Sequence, residues 1–169
     1  MPAQLNQGDG DAMLRAEMDI RSRLGHLPLD FAALQAVSSI YRAATAVRNR
    51  IEREVLGDVG LTWGGFTILF VLWVWGPMQA HALADECGLA KGTLTGMVGT
   101  LEKRFLVERG RLDDRRRVEV ALTEKGRALI EEVFPAFNKL ESQAVAALDD
   151  DEIRELSRLL RKVTQSATD

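Results

Sequence analysis

Residues 83–126 read LADECGLAKGTLTGMVGTLEKRFLVERGRLDDRRRVEVALTEKG, and a change of period inside them decides the fold. Leu94, Val98, Leu101 and Phe105 are spaced four, three and four apart, so they share one helical face. Further on, Val118, Val120 and Leu122 alternate with Arg117, Glu119 and Ala121, the two-residue period of a half-buried strand. The spacing predicts a short helix over 78–87, a left-handed C-cap at Gly88, and a second helix over 91–104. A two-stranded hairpin follows, with its tip at 112–115.

Upstream, LTWGGFTILFVLWVWG (61–76) is the most apolar window, but it is shorter than the roughly 18–20 residues of a membrane span. It reads as a buried helix, opened by Thr62 as N-cap and closed at Gly76–Pro77. Before it, Leu34, Val37, Tyr41, Ala44, Val47, Ile51 and Val55 form one apolar stripe, which predicts a long amphipathic helix over 31–56. A short helix is expected over 11–24, broken by Gly25 and Pro28, and residues 1–10 are expected to be disordered. Downstream, Thr123 caps a helix to about 148 that Pro135 should kink, and Asp149 or Asp150 opens a last helix. Its apolar face is Ile153, Leu156, Leu159, Leu160 and Val163.

The expected fold is therefore mainly α with a small β-hairpin wing. Residues 1–10 form a disordered N-terminus and 11–30 an N-terminal extension. Residues 31–60 and 123–166 supply long dimerisation helices around a winged helix-turn-helix lobe at 61–122. A homodimer is expected because the amphipathic outer helices would otherwise expose a large apolar surface.

Composition narrows the function. At 169 residues, 46% hydrophobic and 28% charged, the chain has the balance of a soluble globular protein. The polar opening MPAQLNQGDG and the single cysteine, Cys87, suit the reducing cytoplasm. His26 and His81 have no partner at metal-ligand spacing, so no metal and no cofactor is expected. No Ser/His/Asp or Cys/His arrangement and no phosphate loop argues for an enzyme, and Glu52 and Glu54 read as an exposed helix face.

Charge is distributed unevenly. Residues 91–118 carry eight basic side chains against four acidic ones, a local +4 that leaves −7 for the rest of a chain whose net charge is −3. A basic segment on an otherwise acidic protein would dock double-stranded DNA there and repel it elsewhere. A helix fits the major groove, and an arginine on a hairpin tip can enter the narrower minor groove, where negative potential is strongest. Considered alone, the run Asp113 to Arg117 reads as a solvated charged turn. Its place after a helix-turn-helix favours the DNA-facing reading.

LADECGLAKGTLTGMVGTLEKRFLVER resembles the helix-turn-helix of the multiple antibiotic resistance regulator (MarR) family, and DRRRVEVALTEKG resembles its second wing strand with the helix start that follows. The resemblance spans about 31–165. It implies a homodimer built from the first and last long helices on a pseudo-palindromic operator. It also implies that Arg116 enters the minor groove beside Arg115, oriented by Asp114 through a charge-assisted hydrogen bond.

The recognition helix departs from the family pattern, because Gly96 or Gly99 stands where an arginine or other polar residue is usual, and with Gly92 the segment holds three glycines. Each costs about 1 kcal/mol in a helix interior relative to alanine. Either they let the backbone approach DNA, leaving Lys91, Thr93, Thr95, Gly96 and Thr100 as the contact face, or they serve helix packing or are simply tolerated in a helix held by tertiary contacts. Phe105 replaces the family's usual glycine after this helix, so the path into the first wing strand is expected to differ.

The resemblance further implies a small aromatic or phenolic effector. Tyr41 and Arg42 on the first long helix and Trp63, Phe66 and Trp73 on the buried helix are the candidate pocket residues, with core packing as the alternative for the aromatic stripe. Urate is disfavoured, because Thr67 and Gly96 occupy the positions of that branch's aspartate and arginine and no tryptophan precedes Trp63. Peroxide sensing is disfavoured because Cys87 lies in the helix-turn-helix, where an unreactive thiol is expected. The leading expectation is a ligand-responsive repressor in which effector and operator oppose one another. The alternative is a winged-helix protein-interaction module without sequence-specific DNA binding.

Overall fold

The computed structural model describes residues 7–111 and 118–168, which form two compact units, 1–46 and 47–169. In the first unit α1 (Gln7–Leu24) is followed by α2 (Phe31–Ile51), whose first turn is capped by Asp30 Oδ1 accepting from Ala33 N at 2.9 Å. Residues 7–10 are helical rather than disordered, and α1 therefore starts earlier than its loose apolar spacing indicates. Residues 1–6 lie outside the described range.

The second unit takes up the end of α2, where Ile51 is buried. The helix then widens into a π-turn, Glu52–Leu56, closed by Gly57 N donating to Glu52 O at 2.8 Å. Helix α3 (Trp63–Trp75) starts at Thr62, whose hydroxyl accepts from Gly65 N at 3.2 Å, and stops at Gly76, φ +81°, before Pro77. Six of its residues are buried, as expected of a helix apolar on every side. Glu52 is not simply surface: its Oε1 accepts from Trp63 N at 2.8 Å, so a carboxylate sits on the positive end of α3.

After α3, residues 78–79 are not the start of a helix. They form β1 (Met78–Gln79), followed by α4 (Ala80–Glu86), the turn at Gly88 with φ +62°, and α5 (Lys91–Lys103). The hairpin β2 (Val107–Arg111) and β3 (Val118–Leu122) pairs Val107 with Leu122 and Arg109 with Val120. Because β1 adds to β3, with Met78 opposite Val120, the wing is a three-stranded antiparallel sheet in the order β1-β3-β2 instead of a bare hairpin. A two-residue strand is too short to show an alternation.

Helix α6 (Glu124–Ala144) is capped by Thr123, whose hydroxyl accepts from Gly126 N at 3.0 Å. It contains Pro135 and ends at Ala144 rather than near 148, with Val145 outside helical geometry. Helix α7 (Asp150–Thr168) opens on Asp149, whose Oδ1 accepts from Asp151 N and Glu152 N while Glu152 Oε2 accepts from Asp149 N, each at 2.9 Å. The core of this unit joins Ile68, Leu69 and Leu72 of α3 to Leu83, Leu94, Val98, Val120 and Ile130.

Gly126 marks the tightest junction. A Cβ on it would overlap the carbonyl oxygen of Leu106, which accepts from Thr123 N at 3.2 Å. The Leu-Thr-x-x-Gly sequence thus has a steric cause: Leu106, just before β2, and the start of α6 meet backbone to backbone.

Candidate nucleic-acid interface

Helix α5 divides cleanly into two faces. Leu94, Val98 and Leu101 are buried against the core, whereas Lys91, Gly92, Thr93, Thr95, Gly96 and Thr100 are exposed. Thr95 Oγ1 donates to Lys91 O at 2.9 Å and Thr100 Oγ1 to Gly96 O at 3.1 Å. Both hydroxyl protons are thereby spent on the helix's own carbonyls, on a face that also exposes Lys91, Thr93 and glycine backbone.

A Cβ built on Gly92, Gly96 or Gly99 would meet nothing within 4 Å outside its own helix turn, so packing among the described residues requires none of them. The close helix-helix approach is made from the other side. A Cβ on Gly64 of α3 would come within 2.8 Å of the Met97 thioether. The glycine that packing uses is on α3, and those of α5 face open space.

The basic cluster is also divided by the fold. Arg104 donates to Gly60 O at 2.5 Å and Val59 O at 2.8 Å, which ties the end of α5 to the loop before α3. Arg109 pairs with Glu102 at 3.4 Å across α5 and β2. These two cations are committed within the chain, and local sequence carries no signal of it, because their partners lie on other elements. Lys91 sits at the exposed start of α5, whose N-cap residue Ala90 makes no side-chain cap. Asp114, Arg115 and Arg116 lie outside the described residues.

Phe105 keeps the backbone path into β2 in an unexpected way. It is the one non-glycine residue with positive φ among those described (+59°), and 73% of its surface is exposed. Its carbonyl accepts from Thr123 Oγ1 at 2.7 Å, and Lys125 Nζ donates to the preceding carbonyl, Arg104 O, at 3.0 Å. A left-handed conformation that favours glycine is thus held by hydrogen bonds from the start of α6.

Of the five residues expected to line an effector pocket, Trp63, Phe66 and Trp73 come together as packed rings. Phe66 stacks on Phe137 at 4.1 Å and 11°, Trp63 approaches Phe137 at 5.7 Å, and Trp73 meets Phe134 edge-on at 5.4 Å. Trp73 Nε1 donates to Glu131 Oε1 at 3.4 Å. Rings at these separations fill one another's space. Tyr41 and Arg42 belong to the 1–46 unit, where Tyr41 is 70% exposed.

Cys87, at the C-cap of α4, is half-buried. Burial first, and then the neighbouring Glu86 carboxylate, push its thiol up to about 11, which makes it a poor nucleophile at neutral pH. No group of three potential metal ligands occurs among the described residues, and no helix among them is long and apolar enough to cross a membrane.

A helix-turn-helix whose second helix shows an unpartnered face, followed by an antiparallel sheet joined through a basic segment, defines a winged-helix DNA-binding protein. The chain belongs to the MarR family, whose profile matches residues 61–118. It is 36% identical over 157 residues to the uncharacterized HTH-type transcriptional regulator YwaE of Bacillus subtilis (strain 168), covering 90% of this chain and 91% of that one. With the HTH-type transcriptional regulator MgrA of Staphylococcus aureus it shares 32% identity over 130 residues, 76% of this chain and 87% of the relative. Among solved structures it is similar to Bordetella bronchiseptica BpsR, whose DNA binding is regulated by 6-hydroxynicotinic acid. That likeness has a TM-score of 0.70 and 27% identity, over 77% of this chain and 98% of BpsR. The protein is a transcriptional regulator and not an enzyme.

Proposed function

We propose that this regulator is a homodimeric repressor that binds a pseudo-palindromic operator and is released by a small aromatic effector. The observation that carries the DNA-binding part is the outer face of α5, where glycine backbone stands clear of the other described residues beside exposed threonines. Such a surface reads shape and the C5-methyl group of thymine better than it reads guanine, for which a bidentate arginine is the usual partner. Lys91, Thr93, Thr95, Gly96 and Thr100 make the groove contact. Arg115 and Arg116 reach the backbone and the minor groove, with Asp114 orienting Arg116.

Support for a dimer comes from α7, where Leu156, Leu159, Leu160 and Val163 are exposed on one side of the helix. A two-fold partner would cover them and would place two copies of α5 on successive half-sites. The aromatic effector is inferred from BpsR and its 6-hydroxynicotinic acid.

Fluorescence anisotropy tests the proposal, using the duplex upstream of the protein's own coding region against a scrambled duplex over a salt series. Preferential binding with a steep negative salt slope is expected, followed by release when aromatic acids are added. Equal, weak binding to every genomic duplex tried would favour the interaction-module reading instead.

A further inference from the structure

Between α1 and α2, wholly within the 1–46 unit, lies a cavity of about 250 Å³. Its lining combines the apolar Met18 of α1 and Phe31 and Leu34 of α2 with Ser38 and Arg42, also of α2. Phe31, Leu34, Ser38 and Arg42 follow one another at steps of three, four and four, so a single face of α2 presents a ring, a leucine, a hydroxyl and a guanidinium in that order. We propose that this cavity holds a small aromatic carboxylate, with its ring against Phe31 and Leu34 and its carboxylate on Arg42. The assignment rests on the effector reading above and gives that effector a place and a charge.

Three features favour a small organic acid, to which the effector reading adds the aromatic ring. The volume is just below the roughly 300–1,000 Å³ of typical small-ligand sites, which suits a single ring with its substituents. The guanidinium is poised rather than spent. Glu17 Oε2 accepts from Gln35 Nε2 at 2.6 Å, whereas Arg42 reaches the same carboxylate only at 3.8 Å, beyond hydrogen-bond length. Arg42 can therefore turn its fork to a ligand carboxylate while Glu17 keeps the amide. Finally, Arg21 also lines the cavity, with its guanidinium carbon 5.4 Å from the Phe31 ring centroid. Two guanidiniums against one carboxylate give the lining an excess of positive charge, which favours an anion over a neutral phenol or a cation.

The test is isothermal titration calorimetry of the full-length protein with benzoate and 6-hydroxynicotinate, with benzyl alcohol as the uncharged control. It is paired with methyl NMR of methionine-labelled protein. Both acids should bind wild type more tightly than benzyl alcohol does, and Arg42→Gln should weaken them at least about tenfold, the loss of one charge-assisted hydrogen bond. Arg42→Lys should fall between the two. The Met18 methyl resonance should move on titration and that of Met97 should not, which decides the matter in wild type even if Arg42→Gln fails to fold. Acids that bind Arg42→Gln as tightly as wild type, with the Met18 signal unmoved, would overturn this site and leave the effector reading standing. Acids that neither bind wild type nor release its DNA would overturn both.

Discussion

Replacing Gly96 with alanine separates folding from DNA recognition at one position. Gly96 is exposed in the interior of α5, and a Cβ there meets nothing within 4 Å, so the substitution creates no clash among the described residues. What remains is the helix propensity difference, about 1 kcal/mol in favour of alanine. For a chain of this size, that raises the thermal midpoint by roughly 2–4 °C at fixed protein concentration. Operator affinity should move the other way. If the backbone at Gly96 lies against the bases, a methyl group holds it off and weakens contacts on both sides of it. A loss of about tenfold or more, 1.4 kcal/mol, is the expected size. Urea unfolding gives the first quantity and anisotropy at constant salt the second. A protein no more stable than wild type would refute the claim that Gly96 faces open space. A stabilised protein with unchanged operator affinity would refute the claim that bare backbone at this position meets DNA.

Other substitutions probe the neighbouring elements. Gly126→Ala should destabilise by more than about 3 kcal/mol, because backbone rather than a flexible side chain stands where its Cβ must go; urea unfolding at near wild-type stability would contradict the close approach to Leu106. Arg116→Ala should weaken DNA binding and lower the salt slope by about one unit, the signature of one lost phosphate-region cation; an unchanged slope in the anisotropy series would remove Arg116 from the interface. Cys87 bears on alkaline stability. Its folded thiol titrates near 11 against an ordinary 9, so the unfolded chain loses the proton first and stability falls as pH rises from 9 towards 11. Cys87→Ala should flatten that decline in urea titrations, and an identical decline in both proteins would show that the thiol stays exposed in the fold.

The sequence alone was enough for several features whose cause is local. Thr62 and Thr123 are legible as caps because a hydroxyl bonds an amide three residues on, and Gly88 is legible as a helix stop because it takes a positive φ. The buried face of α5 and the alternation of β3 follow from period alone, and with them came the winged helix and the family. The Asp149 box that opens α7 is equally local.

Tertiary structure decided whatever depends on a distant partner. Lys91 opens α5 and Arg104 is its C-cap, yet only the position of Val59 and Gly60 ties Arg104 to the loop before α3. Phe105 has no local reason to be left-handed, and hydrogen bonds from Thr123 and Lys125 frame the turn that holds it there. Trp63, Phe66 and Trp73 offered both a pocket wall and a core, and only the fold shows that the rings of Phe134 and Phe137, some 60 to 75 residues away in sequence, pack against them, with Phe66 buried and the two tryptophans partly so. Glycine gives the sharpest contrast. Gly64, Gly96 and Gly126 look alike as letters, but one clears a methionine side chain, one faces open space and one admits a carbonyl. A missing side chain acquires its meaning from what occupies the space it leaves, and in a folded chain that space is filled by residues remote in sequence.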